Sequence, residues 1–99
     1  IIPSLAFELN KIKLEKEVQQ YILDTDVSMI EYLSTVDLEI QMEMVQKNPA
    51  NVKYIFSPSR EVQQYILENH PRYFNFIRST KVIPYFKEEY KRMIRDNEL

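Results

Sequence analysis

A chain of 99 residues with 44% hydrophobic and 28% charged side chains can bury one modest core, so its composition excludes a disordered chain and predicts one domain. Cysteine is absent, which excludes disulfides and thiolate metal sites, and no apolar run approaches the roughly 20 residues that a membrane-spanning helix needs. The net charge of −2 hides an asymmetry: residues 1–50 carry 4 Lys against 9 acids, whereas residues 51–99 carry 9 Lys plus Arg against 6 acids.

These features predict a soluble, cytoplasmic protein with no membrane association, and Ile1 in place of methionine points to a processed or partial chain. The acidic first half suits a positively charged partner and the basic second half a negatively charged one. Glycine is missing altogether, so any turn that needs φ > 0 falls to Asn, Asp or His.

In chain order, residues 1–15 come first; Leu9 and Ile12 before Leu14 read as the end of an incomplete repeat or N-terminal cap. From Lys16 the chain repeats. EVQQYIL occurs at Glu17 to Leu23 and again at Glu61 to Leu67, and three gapless 22-residue blocks begin at Lys16, Leu38 and Arg60. Their columns include Glu17, Glu39 and Glu61; Val18, Ile40 and Val62; Gln19, Gln41 and Gln63; Ile22, Met44 and Ile66; and Leu23, Val45 and Leu67. In the second half of each block, the columns are Ile30, Val52 and Phe74; Tyr32, Tyr54 and Phe76; and Leu33, Ile55 and Ile77, all read as core.

Apolar residues spaced as Val18, Ile22 and Leu23 mark one face of a short helix. Asp37 and Ser59 stand where N-caps belong, each with Glu two positions later to complement the helix N-terminus. Asn48 and His70, each before proline, mark the helix end, with Asn48 as C-terminal cap. A second, shorter helix follows, and Ser57, Pro58 and Ser59 make the turn to the next block. After Lys81, residues 82–99 read as a capping helix with Pro84 in its first turn and Phe86, Tyr90, Met93 and Ile94 on one face. The fold class expected is all-α, a short-repeat α-solenoid of helix, turn and short α or 3₁₀ helix per 22 residues, with capping helices.

The stretch PSREVQQYILENHPRYFNFI, and more weakly LEIQMEMVQKNPANVKYI, resembles the leucine-rich-repeat-variant class of solenoids, which alternate α and 3₁₀ helices. It is also similar to short repeats in uncharacterised bacteriophage and large-virus proteins. The resemblance covers about two-thirds of the chain. It implies a fold and a habit of binding macromolecules, and no catalytic residue. The first block departs from it, with Asp26 and Val27 where the pattern has Asn and Pro.

No catalytic, cofactor or metal site is expected. His70, the one histidine, shares its column with Asp26 and Asn48 and reads as a turn residue. The Glu17, Glu39, Glu61 column complements helix N-termini, and Glu88 with Glu89 reads as a solvated face. Gln19, Gln41 and Gln63 have two readings: amides that bridge adjacent blocks, or a polar ladder offered to a partner. Tyr21 and Tyr65, off the apolar columns and opposite Glu43, are further partner-binding candidates together with Arg72 and Tyr73.

The function expected is a non-enzymatic protein-binding scaffold, a viral accessory protein that inhibits or redirects a host protein of the anti-defence type, acting in the host cytoplasm. One alternative is nucleic-acid binding through Arg78, Lys81, Lys91 and Arg95. Another is a structural part of a larger assembly.

Overall fold

The computed structural model describes residues 15–99, which fold into helices with no strand among them. The partial repeat expected over residues 1–15 lies outside the described residues except for Glu15, the N-cap of the first helix. Three ten-residue helices, α1 (Lys16–Thr25), α2 (Leu38–Lys47) and α3 (Arg60–Asn69), start 22 residues apart. One residue separates each from a six-residue 3₁₀ helix: η1 (Val27–Tyr32), η2 (Pro49–Tyr54) and η3 (Pro71–Phe76). The blocks inferred from sequence therefore begin where the helices begin.

The single linking residue makes the corner. Asp26, Asn48 and His70 each donate their backbone N–H to the carbonyl four residues back, at Ile22, Met44 and Ile66, which closes the last α-turn. Asp26 (φ −158°, ψ 92°) and Asn48 (φ −159°, ψ 114°) are extended rather than left-handed. Their carboxylate and amide oxygens then accept the N–H of Ser28 (3.2 Å) and Ala50 (3.0 Å), starting the 3₁₀ helix. Asp26 thus does the work of Asn48, and the first block turns as the second does although Val27 replaces the proline. His70 holds the same position without a side-chain cap bond. Among the described residues only Asn97 (φ 59°), beyond the last helix, has positive φ. A repeat whose corners are extended has no need of glycine.

Asp37 and Ser59 are N-caps, as expected, but their side chains make no capping bond. Their backbone N–H groups are instead taken by the preceding block. Gln19 Oε1 accepts from Asp37 N (2.8 Å), Gln41 Oε1 from Ser59 N (3.0 Å) and Gln63 Oε1 from Ile83 N (2.9 Å). The amide nitrogens are also used: Gln41 Nε2 donates to Val36 O (2.8 Å), and Gln63 Nε2 donates to Pro58 O and Lys81 O (both 3.0 Å). All three glutamines are buried, at 0%, 5% and 1% exposure. The bridging reading of this column holds. The partner-ladder reading does not, because side chains closed off by the next block are not presented at the surface.

Each α-helix packs on its own 3₁₀ helix; along the chain, α-helix packs on the next α-helix and η1 on η2 on η3. The core runs between these two layers through Leu23, Ile40, Met44, Val45, Val62, Ile66 and Leu67 on one side and Ile30, Leu33, Val52, Ile55, Phe74 and Ile77 on the other. Val18 is 44% exposed where Ile40 and Val62, its counterparts in the next two blocks, are buried.

After the third block the period slips. A short 3₁₀ turn, η4 (Ser79–Lys81), intervenes, and the final helix, α4 (Pro84–Arg95), starts two residues later than a fourth repeat would. It still receives the glutamine bridge at its N-cap, Ile83, and lays Phe86 against the core with Tyr90 and Met93 beside it. Ile94, expected on that face, is half exposed. Arg92 of α4 is held by Glu98 and Asp96, and less by Glu89, whose hydrogen bonds and charge raise the guanidinium pKa further above its ordinary value.

Replacing Gln41 with Ala strands the buried Ser59 N–H and Val36 carbonyl. Urea unfolding should show a loss of about 2 to 3 kcal/mol, against less than about 0.5 kcal/mol for Ala at exposed Gln46.

Candidate interaction surface

The surface follows from the geometry of the 3₁₀ helices. With three residues per turn, positions i and i+3 eclipse, so Ile30 and Leu33, Val52 and Ile55, and Phe74 and Ile77 bury the same face. The residue just before the second member of each pair points elsewhere. Tyr32 (49% exposed) and Phe76 (40%) are therefore on the surface, which corrects the expectation that they are core, whereas Tyr54 is half-buried and packs against the core as expected. A helical period of 3.0 rather than 3.6 would have placed them correctly from sequence.

Leu33, Ile55 and Ile77 then continue in extended conformation, ψ 131°, 115° and 135°. In an extended segment residues i and i+2 share a side. With the central isoleucine or leucine buried, Tyr32 and Ser34, Tyr54 and Phe56, and Phe76 and Arg78 flank it on the outside. Because η1, η2 and η3 pack in order, these pairs form two adjacent rows, Tyr32, Tyr54, Phe76 and Ser34, Phe56, Arg78.

Ring contacts extend the surface in the third block. Tyr73 meets Phe76 edge-on at 5.2 Å, His70 meets Tyr73 at 6.4 Å, and Tyr65 meets His70 at 5.7 Å between centroids. Cations finish it: Lys53 Nζ lies 5.2 Å from the Tyr54 centroid, while Arg78 Cζ and Lys81 Nζ lie 5.4 and 4.6 Å from that of Phe56. Arg72, exposed beside Tyr73, adds another positive charge.

Of the candidates read in sequence, Tyr65 and Tyr73 are partly buried against the core and linked through His70, Arg72 is exposed, and Arg78 and Lys81 lie over Phe56. Tyr21 is 68% exposed on α1 and makes no ring contact with a described aromatic residue. Lys91 and Arg95 sit apart on α4 and pair with Glu88 (3.5 Å) and Asp96 (3.7 Å), so the four basic residues of the nucleic-acid reading do not form one free stripe. Tyr32, Phe56 and Phe76 were missed as surface residues. The carboxylate column is exposed, with Glu39 pairing Lys16 of the preceding block, and no group of three or more potential metal ligands occurs among the described residues.

A cleft of about 470 Å³ separates α3 from α4, lined by Leu67, Phe86 and Met93 and by Arg60, Glu68, Glu89 and Arg92. Its polar groups are already engaged in part: Arg60 lies over Phe86, and Glu89 holds Arg92. No helix among the described residues is long and apolar enough to cross a membrane. Comparison of the chain with protein-family models, curated proteins and solved structures gave no match.

Truncating Phe76 to Ala should cost less than about 1 kcal/mol in thermal or urea unfolding, because the ring is already partly in water. Phe74→Ala, two residues earlier and buried, should cost about 3 to 5 kcal/mol.

Proposed function

We propose that this protein is a short-repeat α-solenoid whose function is to bind another protein, and that it is not an enzyme. The observation that carries this reading is the aromatic column Tyr32, Tyr54 and Phe76, which repeats with the fold and leaves Tyr32 and Phe76 at the surface and Tyr54 half-buried. Burying Tyr32 and Phe76 against neighbouring blocks would have added to the core, yet the three-residue turn leaves them outward. Exposed aromatic residues with cations beside them have the composition of a binding hot spot: large rigid anchors, little side-chain entropy to lose, and Arg and Lys placed to meet polar groups on a partner.

The polar interior of the blocks is consumed by the glutamine bridges, so recognition falls to residues that contribute little to folding. That separation lets a partner surface vary while the repeat stays fixed. In keeping with the resemblance to phage and large-virus repeats, the role is that of a viral accessory protein in the host cytoplasm, which masks or redirects a host protein of a defence pathway.

Affinity capture with the intact tagged chain from a lysate of its native cell, after nuclease treatment, tests the reading. The expected result is a protein partner that survives nuclease and is lost with Tyr54→Ser, Phe76→Ser, while circular dichroism of that variant stays unchanged. Capture of nucleic acid alone, or a partner retained by the variant, contradicts it.

A further inference from the structure

The positive charges of this chain fall into two groups. Lys16, Lys47, Lys91, Arg92 and Arg95 are ion-paired. Between residues 53 and 87 stand Lys53, Arg60, Arg72, Arg78, Lys81 and Lys87 against only Glu61 and Glu68, and among the described residues none of these six cations has a carboxylate partner. Four of them rest on aromatic rings instead.

Phe56 is where this is sharpest. Arg78 and Lys81, both within the distances given above, lie over one ring that is itself 39% exposed. Their charged centres are at most about 10 Å apart, within one Debye length at ordinary ionic strength, so they repel each other and an anion that meets both relieves that repulsion. Contact with the ring favours this placement before any ligand arrives, which lowers the entropy lost on binding. The Lys81 backbone is pinned as well, since its carbonyl accepts from buried Gln63.

From this placement we infer that Phe56, Arg78 and Lys81 form a preorganised seat for an acidic segment of a partner protein, with Lys53 and the aromatic row adjoining it. The inference rests on the protein-binding reading and names the chemistry of the partner. A short acidic peptide fits better than a nucleic acid for two reasons. Both cations already lie over the Phe56 ring, which leaves it less free to stack a base. A longer polyanion continuing along the blocks toward the N-terminus also meets Asp37, Glu39 and Glu31, whose charges repel it.

The test uses the intact chain and two fluorescent probes of matched charge, an oligoglutamate peptide and an oligothymidylate, titrated at low ionic strength. Oligoglutamate should bind, and Arg78→Ala with Lys81→Ala should weaken it by at least about tenfold, whereas Lys91→Ala with Arg95→Ala, the same loss of charge on α4, should change it by less than about twofold. Arg78→Gln with Lys81→Gln, which keeps the side-chain stems, guards against a folding artefact and should weaken binding equally. Equal losses from the two alanine pairs, absence of binding to the unaltered chain, or tighter binding of oligothymidylate would each overturn the proposal. None of these results bears on the nuclease-resistant capture through Tyr54 and Phe76, so the two readings fail separately.

Discussion

Everything in this fold depends on a side-chain amide that reaches one block ahead. The N-cap N–H of a helix has no partner within the helix, and here that N–H is satisfied by the glutamine of the previous unit. A hydrophobic face alone tells neighbouring blocks that they should pack, but not at which register. The glutamine does, because its oxygen accepts from one backbone N–H and its nitrogen donates to nearby carbonyls, and a buried amide left short of either bond would cost about 1 to 3 kcal/mol per group. Strict spacing of 22 residues between Lys16, Leu38 and Arg60 is the sequence-level consequence. The bridge even survives the slip before α4, where η4 adjusts the chain so that Ile83 N–H still meets Gln63.

With register fixed from inside, the outer surface is released from structural duty. The corners are extended and proline-compatible, the 3₁₀ helices bury every third residue, and what lies between those buried positions faces outward. Aromatic residues and unpaired cations collect there in the second and third blocks, while acids collect on the first two helices and pair with Lys16 and Lys47. The charge asymmetry visible in composition thereby becomes a spatial one, with the cations that lack a carboxylate partner concentrated between residues 53 and 87.

Much of this was legible in the residues. The 22-residue spacing of the first three helices, the all-helical class, a final helix within residues 82–99 and the bridging option for the glutamines were all readable from periodicity and local signals. Three things were not. Asn48 caps its helix in extended rather than left-handed conformation, as Asp26 does with no proline after it, and each side-chain oxygen accepts the N–H two residues on. Asp37 and Ser59 look like side-chain caps but are capped through their backbone by a residue 18 positions earlier, a contact no local window contains. Tyr32 and Phe76 read as core because their column is uniformly aromatic; only the three-residue period of the 3₁₀ turn separates them from Leu33 and Ile77 next door.

The most direct test of the glutamine account is residue-resolved amide hydrogen exchange of the intact chain and of Gln41→Ala. N-cap amides ordinarily exchange quickly because they are orphaned at the helix start. The account predicts slow exchange at Asp37, Ser59 and Ile83, with Ser59 alone released selectively by Gln41→Ala. Fast exchange at all three positions in the unaltered chain, or protection of Ser59 that persists without Gln41, would contradict it.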